Sequence, residues 1–323
     1  MALSPVPRLR SVMMFDLFRH FKENPKYNKL VGSEYLFTEY QCPVQTDQFQ
    51  FVSELNFISF VISGKKDWFV SGEAYPVREG DAIFVRKGAY TTRQYFDVEH
   101  CMLTFFISDD FIRNFFRENE PAASSGPGSK TTYSQIIRLD VNPPLKSMFF
   151  GMFNYLKMGK DVPRRLVELK FNELMFNIVL NPRNHELSHF FRSLDQSRKT
   201  SLDYVMTNHF QYDLEMEDFA RLSGRSLSTF KRDFKASYRV TPGKWLTAKR
   251  LEYAKNLLIN SDLNVNEVCF ESGFRNTTHF NRAFKEKYSL PPGQFRLSGK
   301  RAGHDPCIET SYEKQEGFLS VCA

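Results

Sequence analysis

Between residues 33 and 108 apolar and polar positions alternate with a period of two, in FQFVSEL, FISFVIS, DWFVSG, DAIFVRKG and CMLTFFIS, with many β-branched and aromatic residues. Turn residues separate these runs at Ser63-Gly64-Lys65, Ser71-Gly72-Glu73, Glu79-Gly80-Asp81 and Lys87-Gly88. Short strands at this spacing predict a compact barrel or sandwich rather than alternating βαβ units. The Pro-, Gly- and Ser-rich stretch at 118–132 predicts a solvated loop or short linker. From about Leu145 the period becomes helical. In VPRRLVELKFNELMFNIVL, Val167, Phe171, Leu174 and Ile178 recur at four-three-four spacing, and Leu166, Leu169, Met175 and Val179 widen the stripe. A face this broad needs a cover. The neighbouring barrel and helix are the expected cover ahead of a second copy of the chain, which would make the four residues a dimerisation seam, and the two covers are compatible.

The last hundred residues contain a repeat. Arg232, Phe234, Lys235, Tyr238, Pro242 and Trp245 return fifty residues later as Arg282, Phe284, Lys285, Tyr288, Pro292 and Phe295. Ala220 and Gly224 return after forty-nine as Cys269 and Gly273, so a turn absorbs one residue. Each copy predicts helix, tight turn, helix. In the first, Gly224 supplies the positive φ at a helix end and Ser226 caps the next helix, Leu227 to Ser237, which buries Leu227, Phe230 and Phe234. Ser228, Thr229, Lys231, Arg232 and Lys235 are left outside. The second copy turns at Gly273-Phe274 and enters a helix at Thr277 that buries Phe280 and Phe284 and shows Thr278, His279, Asn281, Arg282 and Lys285. Hydroxyl, amide, imidazole and cationic groups on one helix face suit the donor and acceptor edges of bases in a major groove. The alternative for His279 is a partly buried polar residue beside Phe280. Between the copies, a helix of about 17 residues, roughly 25 Å long, would hold two recognition helices roughly one DNA turn, or 34 Å, apart.

Charge makes this sharper. The chain of 323 residues carries 44 Lys+Arg against 37 Asp+Glu, a formal +7. Residues 221–250 alone hold nine basic residues against Asp233, while 211–220 hold four acids and no base. Such a stretch reads as a phosphate-facing surface rather than a solvated helix face. The five cysteines (Cys42, Cys101, Cys269, Cys307 and Cys322) show no metal or disulfide spacing, as expected in a reducing compartment. The start has no uninterrupted apolar stretch and no small-residue cleavage site, so no signal peptide is expected, and no apolar run approaches the roughly 18 to 20 residues of a membrane span. A cytoplasmic protein without membrane contact is expected.

In MEDFARLSGRSLSTFKRDFKASYRVTPGKWL, KRLEYAKNLLINSDLNVNEV and ESGFRNTTHFNRAFKEKYSLPPGQFR, the chain resembles the AraC/XylS family of bacterial transcription regulators over residues 203–297. The resemblance implies a double helix-turn-helix with base-edge or nearby phosphate contacts from Ser228, Lys231, Arg232, Thr277, Thr278, His279 and Arg282. Lys235, Lys249, Arg250 and Lys285 are the expected phosphate contacts. It places Ala220, Gly224, Phe230, Phe234, Gly273, Phe274, Phe280, Phe284 and Pro292 on packing and turn positions. Cys269 stands where the family has alanine.

YPVREGDAIFVRKGAYTTRQYF resembles the cupin-like domains found ahead of such units, and FVRKGAY is similar to the subgroup that includes type III secretion activators. Metal-dependent cupins use two or three histidines and a glutamate. With His100 alone in the barrel region, no metal, cofactor or enzymatic activity is expected. Phe60, Ile62, Phe69, Ile83, Phe84 and Phe105 are the expected interior, lining a ligand site or simply filling it. Arg86, Lys87 and Arg93 would face an anionic effector or form a basic rim.

The expected fold is α+β: a cupin-like β-domain at 30–135, a helical dimerisation or linker segment at 140–198, an all-α double helix-turn-helix at 199–300 and a flexible tail at 301–323. The expected function is a sequence-specific DNA-binding regulator, more an activator than a repressor. Its expected partners are an operator duplex, RNA polymerase and a second copy of itself. The effector is left open between a small molecule and a protein, and the alternative is a regulator controlled by a protein partner with no small-molecule effector.

Overall fold

A computed structural model describes residues 14–40, 47–70, 73–95, 100–119, 133–158, 162–196 and 199–302. Ser71 and Gly72, nearly all of the 118–132 stretch, Cys42, Cys307, Cys322 and the tail from 303 lie outside the described residues. Two compact units divide at Thr247 and Ala248.

The first unit contains two separate sheets. One has the order β1 (Phe15–Asp16), β4 (Gln48–Ser53), β9 (Gly88–Gln94), β6 (Lys65–Val70) and β7 (Glu73–Arg78). The other runs β11 (Ile136–Leu139), β8 (Ala82–Val85), β5 (Asn56–Ser63), β10 (Cys101–Ile107), β3 (Tyr35–Tyr40) and β2 (Lys29–Val31). All pairings are antiparallel except β1 with β4. The β-domain is therefore a pair of sheets over a shared core rather than one closed ring.

Because successive side chains in a strand point to opposite faces, β5 and β10 serve two cores at once. Phe57, Val61, Met102 and Phe106 pack between the sheets with Phe51, Trp68 and Tyr90, joined by Leu17 and Phe21 of α1 (Leu17–Glu23). Ile58, Phe60, Leu103 and Phe105 face the other way, toward a helical layer of α2 (Asp109–Asn119), α3 (Pro143–Met158), α4 (Arg164–Val179) and α5 (His185–Gln196). Phe149 of α3 ties that layer to the sheet, stacking on Phe60 at 4.6 Å and meeting Phe105 at 5.4 Å. Double-sided burial explains why NFISFVIS and CMLTFFI are apolar almost throughout. It also corrects the expected interior. Of the six residues named, only Ile83 lies in the core between the sheets, whereas Phe60, Ile62, Phe84 and Phe105 belong to the core under the helices.

The same layer settles the α4 stripe. Val167, Phe171, Leu174 and Ile178 are buried within the chain's own core, Phe171 stacking on Tyr35 at 4.4 Å. These four side chains are therefore not a surface seam, and their assignment to dimerisation is corrected: the β-domain covers them.

The division between the two units falls inside a helix. The helices α6 (Leu202–His209), α7 (Met216–Leu222) and α8 (Leu227–Tyr238) belong with the β-domain. The second unit begins within α9 (Pro242–Asn260) and continues through α10 (Val265–Glu271), α11 (Thr277–Tyr288) and α12 (Pro292–Ala302). Leu251, Ala254, Leu258, Val268, Cys269, Phe274, Phe280 and Phe284 form its core. Helix α9 has 19 residues, two more than expected.

Candidate nucleic-acid interface

The two helix-turn-helix copies are built by the same local devices. α7 starts at a capping box in which Glu215 N–H donates to Asp218 Oδ2 at 2.8 Å. α10 starts at another, with Asn264 N–H donating to Glu267 Oε2 at 2.6 Å and Glu267 N–H to Asn264 Oδ1 at 3.0 Å. Gly224 and Gly273 end these helices at φ 68° and 89°. Their left-handed conformation lets Arg225 N–H reach the Ala220 carbonyl at 2.9 Å and Phe274 N–H the Cys269 carbonyl at 3.1 Å. A buried serine precedes each glycine. Ser223 Oγ donates to the Ala220 carbonyl at 2.8 Å, and Ser272 Oγ to the Val268 carbonyl at 2.7 Å. This serine also recurs after forty-nine residues, a signal of the shared turn beyond the glycines alone.

Each recognition helix is then capped and anchored. Ser226 accepts from Thr229 N–H at 3.3 Å, and Asn276 accepts from Thr278 N–H at 2.8 Å and His279 N–H at 3.1 Å. Phe230 and Phe234 in α8, like Phe280 and Phe284 in α11, are fully buried. The helices end on Arg239 and Ser289, at φ 61° and 64°, where no glycine marks the stop in the sequence.

Anchoring one face fixes the other outward. In α8, Ser228, Lys231, Arg232 and Lys235 are exposed and Thr229 is half-buried. In α11, Thr278, His279, Asn281, Arg282 and Lys285 are exposed and Thr277 is half-buried. His279 is thus on the outer face, its ring 5.7 Å from that of Phe274. Lys249 and Arg250 lie on α9, half-buried and off both recognition helices, and Lys249 Nζ pairs with Glu252 at 3.1 Å.

Part of the basic stretch is structural. Arg225 Nη1 donates to the Thr200 carbonyl at 2.8 Å and its Nε to Asp233 Oδ2 at 3.2 Å. Burial pushes the Asp233 carboxyl up, but Arg225, Lys199 and Arg232 together hold it below the usual carboxylate range. Arg221 Nε lies 2.5 Å from Glu54 Oε1, as an ion pair rather than an aligned hydrogen bond, and its Nη2 meets Asp218. Arg232 keeps 75% of its side chain exposed while grazing Asp233 at 3.4 Å, so it remains available to a ligand. In the β-domain, the expected effector cations are engaged too. Lys87 Nζ pairs with Asp109 at 2.6 Å, Arg86 stacks on Tyr204 at 3.8 Å, and Arg93 lies over Phe69 at 5.4 Å. Among the described residues no group of three or more His, Cys, Asp or Glu stands together as a metal site, and no helix is long and apolar enough to cross a membrane.

Residues 56–190 match the ExsA N-terminal regulatory domain family, and residues 219–298 match a helix-turn-helix domain family. The chain is 24% identical over 239 residues to the thermoregulatory protein LcrF of Yersinia pestis, covering 74% of this chain and 88% of that protein. It is 27% identical over 228 residues to the HTH-type transcriptional regulator ExsA of Pseudomonas aeruginosa, covering 71% and 79%. Among solved structures, the K231A variant of apo ToxT from Vibrio cholerae is similar at 10% identity and a TM-score of 0.41, over 82% of this chain and 98% of that one. With a match to the ExsA N-terminal regulatory domain in its first half and a duplicated, capped helix-turn-helix in its second, the chain joins an ExsA-type regulatory domain to an AraC-type DNA-binding domain.

Proposed function

We propose that the chain is a cytoplasmic transcription activator that reads an operator duplex with α8 and α11 and recruits RNA polymerase, acting as a homodimer and without catalysis. The observation that carries this reading is the matched presentation of two outer faces. Arg232 and Lys235 on α8, and Arg282 and Lys285 on α11, are exposed at equivalent positions of two helices that each start at a side-chain cap and end on a left-handed residue. The arginines suit guanine edges and the lysines suit phosphates, whose neutralisation releases counterions. Control by a protein partner is favoured over a metabolite held between the sheets, because Phe51, Phe57, Trp68, Tyr90 and Phe106 fill that space. The match to the ExsA N-terminal regulatory domain supports placement in the subgroup that includes type III secretion activators.

The test is a mobility shift with sheared genomic DNA followed by sequencing of the bound fragments. Each arginine contributes about 1–3 kcal/mol of base discrimination. Arg232→Ala with Arg282→Ala therefore lowers specific affinity by at least about 30-fold, with an unchanged melting profile. Lys235→Ala and Lys285→Ala weaken all sequences alike, each lowering the salt slope by about 0.9. A double arginine variant that retains the wild-type specific shift contradicts the reading.

A further inference from the structure

Helix α6 seats on the β-domain at a point that admits no side chain. A Cβ at Gly88, in the first position of β9, would stand 2.6 Å from His209 Cε1 and 2.8 Å from its Nε2, far inside van der Waals contact. The His209 ring is fully buried there, and Ala89 N–H donates to its Nδ1 at 3.4 Å. Three further contacts surround this seat. Gln135 Nε2 donates to Asn208 Oδ1 at 2.5 Å, the Arg86 guanidinium lies between Tyr204 at 3.8 Å and Phe190 at 4.7 Å, and Glu54 pairs with Arg221 at the end of α7.

From this seat a continuous set of polar links reaches the first recognition helix. Tyr238 Oη, at the end of α8, donates to Asp203 Oδ1 in α6 at 3.0 Å. Arg225 joins Asp233 of α8 to the Thr200 carbonyl just before α6. The outer face of α8 stays exposed while α6 is seated, so the docked arrangement leaves Lys231, Arg232 and Lys235 open to DNA. We propose that Gly88 and His209 are positioning residues for DNA binding: the β-domain, through this seat, fixes the orientation of α6 and hence of α8, and so sets operator affinity. The proposal rests on the DNA-binding reading above for its affinity readout, and on the seat alone for its structural one.

The experiment is a double-mutant cycle on the full chain with Gly88→Ala, His209→Ala and the two combined. The DNA probe is the duplex recovered from the genomic selection, and deuterium uptake over residues 202–209 is followed in parallel. Gly88 has no left-handed φ, so alanine is compatible with the strand backbone and its methyl meets chiefly the histidine ring. Gly88→Ala lowers affinity about tenfold with an unchanged salt slope, because orientation rather than charge is lost. It also raises uptake in α6 but not over residues 101–107. In the His209→Ala background, where the ring is absent, Gly88→Ala adds less than about twofold. Equal costs in both backgrounds would show that Gly88 serves only its own sheet. Tighter binding by Gly88→Ala would show a brake instead of a support, and either result overturns the proposal. If the combined variant does not fold, Gly88→Ala alone decides it by α6 exchange, and unchanged uptake refutes the seat. Should the wild type itself select no duplex, the DNA-binding reading falls, while the exchange cycle still decides whether Gly88 seats His209.

Discussion

Phe171→Ala lowers the unfolding free energy by about 3–5 kcal/mol, the range for removing a phenyl ring from a packed core. The ring has no exposure and lies against Tyr35 at 4.4 Å, Phe105 at 5.9 Å and Phe111 at 5.9 Å. None of these neighbours can collapse onto the vacated space without breaking its own packing on β3, β10 or α2, so the cavity persists. The measurement is urea unfolding of wild type and variant at two protein concentrations. Because Phe171 is covered by its own chain, the difference between the two proteins is the same at both. A seam between copies would instead make the loss depend on concentration through mass action, and a cost below about 1 kcal/mol would equally contradict core burial.

Phe171 also marks where sequence reading stops. A broad apolar helix face announces that something covers it, but the choice between sheet and second copy depends on contacts distant in the chain. Strand faces pose the same difficulty. Phe57 and Phe60 sit in one unbroken apolar run, and only the helices on the far side of the sheet explain why both are buried. In contrast, the double helix-turn-helix was legible because its signals are local: a serine cap, a glycine at positive φ, and aromatic residues four apart. The outward residues of α8 and α11 follow from those signals directly. What the local pattern concealed is which cations are already engaged. Arg221 and Arg225 look like members of the basic stretch, yet their partners are Glu54, more than 160 residues earlier in the chain, and Asp233 with the Thr200 carbonyl. His209 was hidden for a related reason, since its contact is a glycine on another element and carries no motif.

Acid weakens the unit that contains His209, and replacing that residue by asparagine removes part of the effect. Burial first, and the Arg86 cation second, push the His209 imidazole down to about 3 from its ordinary 6.5. The aromatic rings of Tyr204 and Tyr212, with centroids 6.3 and 6.1 Å away, close the site. The native state therefore holds the ring neutral while the unfolded chain takes up a proton below pH 6.5. The stability from neutral burial is fully present above that value and is lost as pH falls toward 3. Between pH 7.5 and 5 the loss from this one residue is about 2 kcal/mol. His100, held at about 4 by burial and Lys66, acts in the same direction. Asp16 opposes both. Burial and then the nearby Glu54 carboxylate raise it to about 6 from 3.8, so the native state gains relative stability as the pH falls through 6. Asparagine at 209 keeps an acceptor for the Ala89 N–H but has nothing to protonate. Urea unfolding at pH 7.5 and pH 5 should show His209→Asn losing about 2 kcal/mol less than wild type on acidification. Asp16→Asn, which keeps the cap to Arg19 N–H, should lose more than wild type. Equal acid losses in wild type and His209→Asn would mean that the imidazole is already protonated, or open to water, in the native state.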